Sequence, residues 1–167
     1  MCSICSSNGE VKRKMDDDLV INPKWSQRRQ NRCAAFRFIF QWEMNPPENL
    51  DRDLDEYFRR LKQDQEYFSY AVELIAGVLE KSEILDSIIR ELVENWEFSR
   101  IAKVELAMLR VALFELKYRL DVPPVVIIDE TLEISRDFSS EDSRKFLNGV
   151  LDKAMLQMAR PTRKPAV

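Results

Sequence analysis

The chain has 167 residues, 45 % of them hydrophobic and 33 % charged, with a net charge of −3, which fits one folded domain with an ordinary core. It contains no His, which excludes Ser-His-Asp and Cys-His catalysis and His-containing zinc sites. Its only glycines are Gly9, Gly77 and Gly149, too few for a phosphate-cradling loop or a turn-rich β-sandwich.

Residues 1–23 lack periodicity and carry the run Asp16, Asp17 and Asp18; they read as a flexible extension. Cys2 and Cys5 have a C-x-x-C spacing, but no second ligand pair follows, so no metal site is expected. With Cys33 they cannot form a disulfide framework, which suits a reducing compartment. No apolar run approaches the roughly 20 residues of a membrane span, and no signal-peptide stretch opens the chain. The expected location is the cytoplasm.

Ser26 is placed to cap a first helix running to about Met44. Phe36 with Phe40 and Phe38 with Trp42 stand four apart, although the same aromatics also alternate as in a strand. Asn45-Pro46-Pro47 ends this element. Asp51 to Leu61 reads as a second helix and Tyr67 to Leu79 as a third. Ser82 is expected to cap a fourth, with Ile84, Leu85, Ile88, Ile89, Leu92 and Val93 as its stripe. A fifth, opened by Ser99 or Arg100 and running to about Arg119, is apolar on most faces and should be central. Pro124 suits the first turn of a sixth, in which Val125 to Ile128 is the only strand-like run. Ser139 or Ser140 caps a seventh, which Pro161 stops. The reading is an all-α bundle of about seven helices over residues 24–159, followed by a basic tail, 160–167.

The charges are organised. From Lys24 to Trp42 there are five positive side chains and no negative one, whereas Glu43 to Glu66 holds eight acids and four bases. On a helical wheel Arg28, Arg29 and Arg32 fall within an arc of about 100° that Phe36, Ile39 and Phe40 nearly share. They cannot be buried unpaired, and cations at a helix start are unfavourable by roughly 0.3–1 kcal/mol each. A bound phosphate would relieve both problems; so would acids on a neighbouring helix. Phe138 and Phe146 flank the Ser139–Asp142 cap, where an aromatic can offer a stacking face to a base. Gly149 within the seventh helix suggests a close helix crossing, with Asn148 satisfying a neighbouring backbone group. Cys33 reads as a packed thiol. Acid pairs such as Asp129 with Glu133, or Asp51 with Asp55, read as solvated faces, and no catalytic group and no cofactor is expected.

Three stretches carry a resemblance. They are Arg28-Arg29 with Arg32, Ala35 and Phe40-Gln41; Val104-Glu105 through Leu109-Arg110-Val111-Ala112 to Phe114-Glu115-Leu116; and Asp121-Val122-Pro123, Ile128-Asp129-Glu130, Glu141-Asp142-Ser143 and Phe146-Leu147-Asn148-Gly149-Val150-Leu151-Asp152. Over about Gln27 to Ala159 the chain resembles the NusB family of transcription antitermination factors. The resemblance implies two small helical subdomains. It implies binding of the single-stranded boxA element of ribosomal RNA leader transcripts, together with the ribosomal protein NusE, in the RNA polymerase antitermination complex. Arg28, Arg29, Arg32, Phe138, Asp142 and Phe146 would then meet RNA, and Glu105 would face NusE. The competing expectations are a helical protein-interaction module, for instance a homodimer, and an RNA-binding module like that of some ribosomal RNA methyltransferases. No Gly-rich methyl-donor site follows to support the latter.

Overall fold

The computed structural model describes residues 21–64 and 66–158. Helix α1 spans Gln27–Met44, α2 Leu50–Arg60, α3 Ser69–Glu80, α4 Ser82–Leu92, α5 Lys103–Tyr118, α6 Pro124–Phe138 and α7 Glu141–Gln157, with a 3-10 turn at Phe98–Arg100. No strand occurs among the described residues. The first three helices form one half and the last four the other. Helix α5 packs against α1 and α3 of the first half and against α4, α6 and α7 of the second.

Local chemistry accounts for most of the boundaries. Ser26 caps α1, its hydroxyl accepting the Arg29 N–H at 3.2 Å. Asn49 caps α2 through the Arg52 N–H, and Ser140 caps α7 through the Ser143 N–H. Pro124 opens α6, and the strand-like run Val125 to Ile128 lies wholly within that helix. The alternating aromatics of α1 are helical too: Phe36, Phe38, Ile39 and Phe40 are all buried. Several faces of α1 can be apolar because α3, α5 and α6 all pack on it.

Two helix starts differ from the sequence reading. Ser82 is the first residue of α4 and makes no side-chain cap; α3 and α4 are separated by Lys81 alone, which leaves no room for a conventional cap. The fifth helix opens at Lys103 rather than Ser99 or Arg100. Ser99 and Arg100 belong to the 3-10 turn, and Ile101 and Ala102 are extended, a bend that seats the buried Ile101. Of the flexible extension expected over residues 1–23, residues 1–20 lie outside the described residues, and the boundary at 23 is too late, because Ile21 is 9 % exposed and joins the core and the Trp25 N–H donates to the Asn22 carbonyl at 3.1 Å. The basic tail 160–167 lies outside the described residues.

The expected central helix is central. Every residue of α5 from Val104 to Leu113 is buried. Even Arg110 is only 4 % exposed, bridging Asp86 of α4 at 2.7 Å and Glu43 of α1 at 2.8 Å. Close approach of α3 to α5 depends on Gly77, since a Cβ there would lie 2.0 Å from the Phe114 ring. Gly77→Ala is therefore expected to lower stability by about 1–3 kcal/mol through overpacking, read as a drop in melting temperature. An unchanged melting temperature would mean that the Phe114 ring swings aside freely.

Candidate nucleic-acid interface

The three arginines at the start of α1 have three different environments. Arg29 forms a two-pronged pair with Glu130 of α6, at 2.8 and 2.7 Å. Arg32 is 4 % exposed. Its Nε donates to both oxygens of Glu115 on α5 at 3.0 Å, and its guanidinium lies 3.8 Å from Glu130. Arg28 is exposed; its guanidinium stacks 4.0 Å over the Tyr70 ring, and among the described residues it makes no ion pair. The arginines thus continue the apolar stripe because acids of α5 and α6 meet two of them.

These groups form one connected network. The Tyr70 hydroxyl donates to Glu115, so the ring that carries Arg28 is fixed by the acid that pairs with Arg32. Burial and the neighbouring Glu115 push the Tyr70 hydroxyl well above its ordinary value, which keeps it a neutral donor. Hydrogen bonds from Arg29 hold the Glu130 carboxyl below its ordinary 4.5. A lowered carboxyl contributes stability that is present above the ordinary value and lost as pH falls through the lowered one. The stability that Arg29 and Glu130 contribute accordingly declines as pH falls from about 4.5 through the lowered value of Glu130. The network members Tyr70, Glu115 and Glu130 were not singled out as site residues from sequence. Glu115 offered a signal, since an acid on a helix apolar nearly all round needs a cation.

A second group lies along α6 and at the start of α7. From Glu130 to Phe138 is eight residues, about 12 Å of helix. Phe138 is half-buried, edge-on to Phe36 with ring centroids 5.0 Å apart. Asp142 is exposed in the first turn of α7. Phe146, one turn further on, is half-buried and lies 5.8 Å from the ring of Trp96, an exposed aromatic not identified from sequence. Glu105 is not an exposed acid: it is 7 % exposed. Ser139 donates to its Oε1 at 3.1 Å, and its Oε2 is buried with no hydrogen-bond partner.

Other candidates resolve simply. Cys33 is 1 % exposed, and burial pushes its thiol up to about 12, as for a packed thiol. Asp129, Asp51 and Asp55 are exposed. Gly149 does not mark a close helix crossing, because a Cβ there would meet no atom within 4 Å. Asn148 donates to Asp152 at 3.2 Å rather than to a neighbouring backbone group. No cluster of three or more metal-ligating side chains occurs among the described residues, and no helix among them is long and apolar enough to cross a membrane.

Fold and surface together define an all-α module. It presents a cation over an aromatic ring at one helix start and, near another, the half-buried Phe138 and Phe146 with the exposed Trp96 beside the latter. The chain belongs to the NusB family, whose model matches residues 29–156. It is 37 % identical over 134 residues to the transcription antitermination protein NusB of Oleidesulfovibrio alaskensis, covering 77 % of this chain and 87 % of that one. It is 34 % identical to the protein of the same name from Methylacidiphilum infernorum, covering 80 % and 93 %. Among solved structures it resembles T. maritima NusB with a TM-score of 0.71 at 34 % identity, covering 78 % of this chain and 91 % of that chain. The fold also matches a structure of the antitermination factors NusB and NusE in complex with double-stranded RNA, with a TM-score of 0.70 at 23 % identity, covering 78 % and 97 %.

Proposed function

We propose that the chain is a non-enzymatic, RNA-binding transcription antitermination factor. It binds boxA-like single-stranded RNA of ribosomal RNA leaders together with NusE. The observation that carries the RNA reading is Arg28, an exposed guanidinium seated on Tyr70 without an ion pair among the described residues, on the helix start that the family resemblance assigns to RNA. Arg29, half-exposed beside Glu130, offers the remaining edge of its guanidinium to a second phosphate. Arg32 supports them from below, as a positioning residue held by Glu115. Phe138, Asp142 and Phe146 continue the surface along α6 and α7.

Titration with a boxA-like single-stranded RNA and a scrambled control, with and without NusE, tests this reading. Preference for the boxA-like strand, tightened by NusE, is expected. Arg28→Ala should weaken binding to every sequence and flatten the salt dependence by about 0.7 per lost phosphate contact, with the melting temperature unchanged. Equal affinity of Arg28→Ala and wild type at all salts would move the RNA surface elsewhere.

The partner side rests on Glu105, whose buried Oε2 has no hydrogen-bond partner in the free protein. A donor from NusE would satisfy it. Glu105→Gln and Glu105→Lys should both weaken the NusE complex more than RNA binding alone, measured by calorimetry. Unchanged NusE affinity in a folded Glu105→Gln protein would remove Glu105 from the interface.

A further inference from the structure

A cavity of about 280 Å³ opens between the loop after α4 and the outer face of α7. Trp96 forms one wall. It is 56 % exposed, and its neighbour is the Phe146 ring at 5.8 Å, tilted by 37°. Gly149, one turn beyond Phe146, lines the same space.

Gly149 is a helix-interior residue with no packing role. Glycine weakens a helix relative to alanine, and here no part of the fold occupies the place of the absent side chain, since a Cβ would meet nothing within 4 Å. The missing side chain keeps the floor open beside two aromatic rings. Lys145 and Lys153 stand on the α7 side of the cavity, against the single acid Glu94 among its lining residues. Both lysines are exposed, and Lys153 ties α7 to the loop by donating to the Leu92 carbonyl at 3.4 Å. Rings with a flat open floor and flanking cations suit an unpaired nucleobase with its phosphates, because every base offers a π-face to an aromatic side chain.

We propose that Trp96, Phe146 and Gly149 form a stacking seat for one unpaired base of single-stranded RNA, with Lys145 and Lys153 beside its flanking phosphates. The proposal rests on the RNA-binding reading and deepens it. It adds Trp96 and Gly149 as the residues that admit the base, on a cavity whose lining includes no residue of α1.

The test uses the full chain and a boxA-like single-stranded RNA, with affinity measured by fluorescence anisotropy at several salt concentrations. Trp96→Ala should weaken binding about tenfold, within the range for one stacked base, and leave the salt slope unchanged. Trp96→Phe should stay close to wild type in affinity. Gly149→Leu should weaken binding as Trp96→Ala does, by filling the floor, while keeping or raising the melting temperature. Binding should quench the tryptophan fluorescence of the wild type, and Trp96→Phe should lose most of that quench. If wild type binds RNA and both Trp96→Ala and Gly149→Leu match it, the seat is overturned and the RNA-binding reading stands. If wild type binds no single-stranded RNA, the RNA-binding reading falls and the seat falls with it.

Discussion

Leu109→Ala is expected to lower the unfolding free energy by about 2–5 kcal/mol, the range for truncating a deeply buried leucine. Leu109 has no exposed surface and sits midway along α5, which is packed by helices of both halves. Removing three carbon atoms there leaves a void that five neighbouring helices cannot all close at once, because each also packs on two of the others. Urea unfolding at constant slope would report the loss directly. A change below about 1 kcal/mol would show that the two halves relax independently around α5.

Much of this architecture was legible in the sequence, because helices announce themselves by period and by caps. Ser26 and Pro124 open α1 and α6 as their chemistry dictates. The apolar positions from Val104 to Leu113 revealed the buried helix before any neighbour was known. The legible features are those fixed by residues a few positions apart. Ser82 and Ser99 mislead for a complementary reason: a Ser at the right spacing can cap, but the one-residue link to α3 and the seating of Ile101 decide where these helices start.

The site was readable in part. The wheel placed Arg28, Arg29 and Arg32 on the core side, so an anion or an acid had to meet them. It could not say which, because Glu115 and Glu130 lie 83 and 101 residues from their partners. The fold divides the answer: Arg29 and Arg32 meet acids, and Arg28 meets a ring. Trp96 was missed because it stands in a loop with no periodicity, and its relation to Phe146 exists only after α4 and α7 have packed. Gly149 was visible in sequence, but its open surroundings were not, and a helix glycine at a crossing looks the same in sequence as one beneath a vacant face.

Glu115→Ala should be the most damaging replacement of a polar side chain, costing about 3–5 kcal/mol by the measure of breaking a buried ion pair from one side. Glu115 has no exposed surface and Arg32 is 4 % exposed, so the guanidinium left behind would be buried without its main partner. The Tyr70 hydroxyl would also lose its acceptor. The loss extends to the proposed phosphate site, since Tyr70 carries Arg28. Glu115→Ala should therefore reduce RNA affinity as well as stability, whereas Arg28→Ala reduces affinity alone. Arg32→Ala should follow Glu115→Ala in stability, so alanine at Arg28, Arg29 and Arg32 together should lower stability as well as RNA affinity. Replacing the whole buried set by apolar residues of similar volume, as Arg32→Met with Glu115→Leu and Tyr70→Phe, should recover most of the lost stability, because no charge or hydroxyl is then stranded. Recovery of stability without recovery of RNA affinity would separate the two duties of the network. A single Glu115→Ala protein that melts within about 1 kcal/mol of wild type would instead show that water reaches Arg32 and that the pair is not buried in solution.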